Sequence, residues 1–261
     1  MSEPTRVIVN GAAGRMGQAL SKVIAKHAEA VLVAAMVRPG SALNTGPTGI
    51  GTSLCYTSVL PASTQFDVLI DVSGPSGFSA ALQLACERSA AFVSGSTGLD
   101  ESQMQALDSA AQRIPVLWAA NFSVGVAVLA HLVTEAARLL PAWDCEIFES
   151  HHRDKIDAPS GTAIMLGQRV AEGRGIDAAE PVADRRGKRV EGSIGFAVSR
   201  GGDVVGEHEV RLIGLGERIE LVHRASNREI FAEGALSAAC WLSRQAPGRY
   251  AMADTLGIGR R

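Results

Sequence analysis

The apolar positions of this chain fall into two alternating kinds of run. Val7-Ile8-Val9 is a short unbroken apolar segment ending in Asn10-Gly11, and beyond it Met16, Ala19, Leu20, Val23, Ile24 and His27 recur at helical spacing. Val31 to Val37 is again nearly continuous, as in a parallel strand covered on both faces. Residues 39 to 65 are rich in Gly, Ser, Thr and Pro and read as loop, with room for one short helix. Asp67 to Val72 then predicts a strand, Gly77 to Arg88 a helix, Ala91-Phe92-Val93 a strand, Glu101 to Arg113 a helix and Pro115 to Ala119 another strand. Strands alternating with helices imply an open parallel sheet.

The pattern changes after Ser123. A helix to about Leu139 carries Val124, Val128, Leu132, Ala136 and Leu139 on one apolar face. Asp144 to Ser150 predicts a strand and Ser160 to Glu172 a helix. Three strands follow at 193–199, 204–213 and 217–224, separated by Gly201-Gly202 and Leu215-Gly216; glycine-marked turns of this kind predict antiparallel pairing. A last helix, Phe231 to Arg244, returns to the first unit.

Composition narrows the class. At 261 residues and 46% hydrophobic, with 28 glycines, the chain can bury cores for two domains. A net charge of -2 argues against a general nucleic-acid role. Cys55, Cys86, Cys145 and Cys240 are scattered without metal-ligand spacing and read as reduced, mostly buried thiols. With no long apolar span and no signal-like segment, the expected location is the cytoplasm.

Gly11-Ala12-Ala13-Gly14-Arg15-Met16-Gly17 lies between the first strand and the first helix, the setting that dinucleotide binding needs. Glycines let backbone approach a pyrophosphate, and helix N–H groups with the helix dipole attract it. Arg15 either caps phosphate charge or is solvated, and Met16 reads as a packing residue. The second strand ends in Ala35-Met36-Val37-Arg38-Pro39, without the acid that binds the ribose hydroxyls of NADH. Arg38 either meets a 2′-phosphate or is an ordinary surface charge; the first use makes NADPH the preferred cofactor, with NADH possible. Gly95-Ser96-Thr97-Gly98 and Ala119-Ala120-Asn121-Phe122-Ser123 follow strands at the same sheet edge, where ligands of open parallel sheets lie.

The most specific segment is Glu149 to Thr162, which contains His151, His152, Arg153, Lys155 and Pro159-Ser160-Gly161-Thr162. Adjacent histidines at a strand end take different directions, so one can face a substrate while the other supports it. Histidine suits proton transfer near neutrality, and Lys155 offers a fixed charge for a carboxylate. Ser160 reads as a helix cap, with the Gly161 and Thr162 N–H groups placed to receive an anion. Metal binding by His151 and His152 is the rival use, weakened by Lys155 beside Asp154 and Asp157. His208 and His223 lie in alternating strands and read as structural or surface residues.

These motifs, with Gly192-Ser193-Ile194-Gly195-Phe196 and Val205-Gly206-Glu207-His208, resemble the 4-hydroxy-tetrahydrodipicolinate reductase (dihydrodipicolinate reductase) family of bacterial lysine biosynthesis. The resemblance implies a Rossmann-like α/β parallel-sheet nucleotide domain with an inserted α+β substrate and oligomerisation domain of mixed sheet, divided as residues 1–124, 125–230 and 231–261. It implies NAD(P)H-dependent reduction of a cyclic dicarboxylate with loss of water, and a homotetramer in which domain closure joins the two ligands. His151 would be the general acid and base and Lys155 a supporting donor or carboxylate clamp. His152, Ser160, Gly161 and Thr162 would bind the substrate. Gly11, Ala12, Ala13, Gly14, Arg15, Met16, Arg38, Gly95, Ser96, Thr97, Ala119, Ala120, Asn121 and Phe122 would bind the cofactor. Two departures stand out: Val37-Arg38 replaces a frequent Glu-Arg pair, and Ser73-Gly74-Pro75 lacks a frequent arginine before the proline. The competing readings are another NAD(P)-dependent two-domain oxidoreductase, where a semialdehyde reaction would need a reactive cysteine, and a non-catalytic dinucleotide sensor.

Overall fold

In the computed structural model, which describes residues 3–50, 54–177 and 186–258, the chain divides into two compact units. One comprises residues 1–123 with 229–261, the other residues 124–228.

Unit 1 is built on a seven-stranded, all-parallel sheet. In chain order its elements are β1 (Thr5–Asn10), α1 (Arg15–Lys26), β2 (Ala30–Met36), β3 (Tyr56–Thr57), β4 (Val68–Asp71), α2 (Pro75–Glu87), β5 (Ala91–Ser94), α3 (Glu101–Ala110) and β6 (Pro115–Trp118). The spatial order is β11-β6-β5-β4-β1-β2-β3, where β11 (Gly248–Tyr250) was not read from the sequence. The order 3-2-1-4-5-6 reverses direction at β1, so a crevice opens beyond the carboxyl ends of β1 and β4. Every residue of β4 and β5 is buried, because α2 and α3 pack Phe78, Leu82 and Leu107 against Ile8, Leu69 and Phe92 while α1 packs with a C-terminal helix on the same sheet. β2 departs from the expected double cover. Its neighbour β3 is two residues long, and Val31 near its start is 41% exposed. The loop expected over 39–65 holds this short strand and a Pro47–Cys55 bridge, with no helix among its described residues.

Unit 2 contains α4 (Val124–Leu139), β7 (Asp144–His151), α5 (Gly161–Arg174), β8 (Ile194–Arg200), β9 (Gly206–Ile213) and β10 (Arg218–Ala225), and the sheet order is β10-β9-β7-β8. The mixed character comes from β7, which pairs parallel with β8 and antiparallel with β9. Gly201-Gly202 is therefore not a hairpin between paired strands. β8 is reached from β7 through a crossover containing α5, as parallel pairing requires, and the chain then passes to the far side of β7. Leu215-Gly216 does join an antiparallel pair, β9 and β10. α6 (Glu229–Leu242) carries the chain back into unit 1 and packs against α1, β4, β5 and β6.

The apolar face expected on α4 points outward. Val124, Val128, Leu132 and Leu139 are 37 to 66% exposed, and the buried row is Val126, Leu129, Ala130, Val133 and Ala137. Close approach to α5 selects that row. A Cβ on Gly173 of α5 would lie 2.4 Å from the Thr134 carbonyl oxygen and 3.0 Å from the Ala137 Cβ, so small side chains must face each other here. Cys145 and Cys240 are buried, whereas Cys55 is exposed and Cys86 half-buried, so the expectation of mostly buried thiols holds for two of the four.

Candidate active site

In unit 2 the site grows out of the pleat of β7. Alternate residues of a strand share a face, and Cys145, Ile147 and Glu149 form the row buried under the helices, with His151 continuing it to the strand end. The matching row on β9 is Gly206, His208, Val210 and Leu212. Glu149 lies opposite His208 on β9, and His151 opposite Arg200 on β8. An apolar core thus turns polar within one residue pair, where β7 ends and β9 begins.

Glu149 is the hub of that polar end. Its side chain is 1% exposed and accepts from His151 Nδ1 at 2.5 Å, from Arg200 Nη1 at 2.9 Å and Nη2 at 2.8 Å, and from the Ser160 amide at 2.9 Å. Arg200 Nη2 also donates to the Asp157 carbonyl at 2.7 Å. His208 Nε2 lies 3.2 Å from Ser160 Oγ, and its ring meets that of His151 edge to face at 5.2 Å. Burial, the largest single influence, pushes the Glu149 carboxyl up, but Arg200, His151 and the Ser160 amide together hold it below the ordinary range. Burial also pulls His151 below its usual value, with Lys155 and Arg200 adding to the effect and Glu149 opposing it. His208 is lowered to about 4, by burial first and then by the charge of His151.

The neighbouring turn and helix hold the remaining candidates. Lys155 Nζ donates to both carboxylate oxygens of the exposed Asp157 at 2.8 Å. His152, one residue past β7, is half-buried. Ser160 caps α5, its Oγ accepting from the Ala163 amide at 3.3 Å. With its amide on Glu149 and its hydroxyl on Ala163 and His208, Ser160 serves as a cap whose polar atoms are already engaged. Gly161 opens α5 with clear space where a Cβ would stand, and no acid lies in the first turn. Helix dipole and open approach together suit an anion there.

Sequence alone singles out neither Glu149 nor Arg200 and leaves His208 as a structural or surface residue; it is buried. The signal for His208 was available: its spacing from Val210 and Leu212 is that of a single buried face. Nothing local marks Arg200, whose place depends on the β7–β8 register. Among the described residues no group of three or more His, Cys, Asp or Glu is arranged to hold a metal ion.

In unit 1 the glycine turn has the geometry of a phosphate cradle. Gly11 has φ +82°, and a Cβ on Gly17 would lie 2.3 Å from the Gly11 carbonyl oxygen, so the helix starts hard against the turn. The amides of Gly11 and Ala12 both donate to the Met36 carbonyl and that of Gly14 to the Gly11 carbonyl, so the donors for a ligand are those of Ala13 and the first turn of α1. α1 begins at the exposed Arg15, with neither a capping side chain nor an acid in its first turn, and Met16 is half-buried beside it. A groove of about 800 Å³ runs from Asn10, Gly11, Ala13 and Gly14 past Ser73 to Arg38. Arg38 is exposed, and among the groove's lining residues it is the one that carries charge. These features fit a dinucleotide phosphate.

Two candidate segments follow β5 and β6 at the same edge but do not line this groove. Ser96 is buried, its hydroxyl donating to Asp71 at 2.7 Å and accepting from the Gly74 amide at 2.9 Å. Gly95 lies against the buried Phe122 ring, Thr97 and Ala120 are exposed, and the Ala119 amide donates to the Ser94 carbonyl. Asn121 Oδ1 accepts from the Ser123 amide at 2.8 Å. Cys145 is fully buried and its thiol is pushed up to about 11 by burial, which removes it as a nucleophile of the semialdehyde type.

A parallel sheet with a glycine turn at its switch point, carrying an inserted unit with a largely buried histidine cluster and an open helix start, defines a two-domain NAD(P)H-binding oxidoreductase. Models of "Dihydrodipicolinate reductase, N-terminus" and "Dihydrodipicolinate reductase, C-terminus" match residues 5–122 and 125–256. The chain belongs to the dihydrodipicolinate reductase family. It is 49% identical over 253 residues to the 4-hydroxy-tetrahydrodipicolinate reductase of Stenotrophomonas maltophilia (strain K279a), covering 97% of this chain and 98% of that one. Identity to the same enzyme of Alkalilimnicola ehrlichii is 45% over 268 residues, covering 97% and 99%. The fold is shared with the dipicolinate-bound dihydrodipicolinate reductase of Paenisporosarcina sp. TG-14, with a TM-score of 0.78 at 22% identity and coverage of 97% and 99%. The second family model runs to residue 256 along the chain, although in space α6 and β11 belong to unit 1.

Proposed function

We propose that this protein reduces (2S,4S)-4-hydroxy-2,3,4,5-tetrahydrodipicolinate to (S)-2,3,4,5-tetrahydrodipicolinate with loss of water, using NAD(P)H, in diaminopimelate and lysine biosynthesis. The observation that carries the reading is the 149–162 segment, where an oriented histidine, a lysine and an open helix start occur together in a chain of this family. A bound reduced nicotinamide supplies hydride. His151 is the general acid and base and exchanges the proton that accompanies reduction and water loss. Lys155 clamps a substrate carboxylate and supports proton donation. An exposed ion pair is worth only about 0–1 kcal/mol, so a substrate carboxylate exchanges for Asp157 on Lys155 at little cost. His152 and the backbone of Gly161 and Thr162 hold the carboxylates, and Ser160 contributes by fixing the helix start.

Residues 11–16, Arg38, 95–97 and 119–122 bind the cofactor. NADPH is preferred, because the groove offers Arg38 to a 2′-phosphate and no acid among its lining residues to the hydroxyls of NADH. The assembly is a homotetramer formed through the mixed-sheet face opposite α4 and α5, where Phe148 lies under Arg211 and Val222 is 39% exposed.

The test is an assay of NADPH and NADH oxidation with freshly formed substrate. Turnover is expected only with that substrate, and faster with NADPH. His151→Gln lowers kcat by about a hundredfold or more with a small change in KM. Lys155→Ala raises KM and lowers kcat, each roughly tenfold, the scale of one charged hydrogen bond. Wild-type turnover in both variants rejects the assignment.

A further inference from the structure

The buried carboxylate beneath His151 has no part in the chemistry just described, yet it accepts four hydrogen bonds. We infer that Glu149 is the positioning residue of this site: by accepting from His151 Nδ1 it assigns proton exchange to Nε2, and by the same two oxygens it fixes the turn that starts α5. The inference rests on the role proposed for His151.

The geometry supports both parts. Glu149 and His151 are two residues apart on one strand, hence on one face, and the 2.5 Å contact is made to Nδ1. Which imidazole nitrogen carries the proton is set by the bond the other makes. With Nδ1–H donating to the carboxylate, Nε2 is left to exchange a proton with a ligand. The other contacts reach the anion-binding side. Oε1 accepts from the Ser160 amide, the cap of α5, and Arg200 joins the carboxylate to the Asp157 carbonyl. One buried carboxylate therefore ties the imidazole to the residues proposed to hold the substrate. A carboxylate taken out of water is costly unless it is paired and fully hydrogen-bonded. Here four donated hydrogen bonds meet that requirement.

The charges around His151 set the expected pH effect. Glu149 faces it from its own strand, Arg200 from β8, His208 from β9 and Lys155 from the turn, with His223 of β10 beyond His208. Glu149 is the one anion in this group, and it favours the imidazolium. Replacing it with Gln removes the one anion bonded to the ring while Arg200 and the Asp157-paired Lys155 remain, so His151 loses its proton at lower pH. A general acid works while protonated, so the basic limb of the kcat–pH profile moves toward acid.

The experiment compares wild type with Glu149→Gln in the full chain. The basic limb of kcat is expected to move down by about one pH unit, and kcat near neutrality to fall roughly tenfold. A uniformly lower profile with an unmoved limb overturns the inference, because that is what loosened packing alone would give. A second readout needs neither turnover nor the variant. The ¹⁵N imidazole spectrum of wild-type His151 is expected to show the neutral ring protonated on Nδ1, and a ring protonated on Nε2 overturns the inference. A wild type that fails to reduce the substrate rejects the proposed function, and the imidazole spectrum still decides the role of Glu149.

Discussion

His208 shows what a single buried side chain contributes. Its pKa is lowered to about 4 from an ordinary 6.5, so between these values the unfolded chain binds the proton and the folded chain does not. Stability supplied this way is complete above about pH 6.5 and is lost as pH falls toward 4, a change of about 3 kcal/mol. His151 and His223, also lowered, add slope of the same sign. His208→Asn is therefore expected to flatten, without abolishing, the rise in stability from pH 4 to 6.5. Urea melts at a series of pH values check this, and an unchanged slope contradicts it. At this scale the sequence marks a candidate where a residue type announces its chemistry, as with His151, Lys155 and the glycines of the first turn, whose roles stay proposals. It was silent where a role depends on a cross-strand partner. Arg200 is 51 positions from Glu149 and meets it only because β7 and β8 run parallel in one register.

Among the elements, period and length were readable and facing direction was not. The α4 pattern offers two apolar rows, and hydrophobicity alone favours the row that the structure leaves outside. The row chosen is the one whose alanines allow α5 to approach at Gly173. Gly173→Val is expected to overpack that contact and cost about 1–3 kcal/mol, lowering the melting temperature of unit 2 by several degrees. Leu132→Gln on the outward row is expected to change stability by no more than about 0.5 kcal/mol. Differential scanning calorimetry of the two variants distinguishes the rows, and equal losses would mean that the outward row also carries packing. Gly201-Gly202 illustrates the same limit for strands. A glycine pair marks a reversal, but whether the flanking strands pair depends on whether another strand takes the adjacent place.

For the whole molecule, the legible features were the parallel alternation and the helix that returns after the insertion. β11, three residues long, gave no periodic signal. The returning helix is not an accessory. Ala232, Ala235, Ala238, Ala239 and Leu242 of α6 are fully buried in unit 1. Ending the chain after Arg228 is expected to leave unit 1 without cooperative folding, since domains have only about 5–15 kcal/mol of net stability to lose. Residues 124–228 should retain their protection. Hydrogen exchange of the truncated chain checks this, and a protected β1–β6 sheet would contradict it.

The same return has a consequence during synthesis. A ribosome finishes the inserted unit when residue 228 has emerged, but the sheet begun at Thr5 waits for its covering helix until Leu242 is out. Through that interval the nascent N-terminal half carries an apolar surface with nothing yet made to cover it, the condition under which chains aggregate. The segment made first is thus among the last to become native.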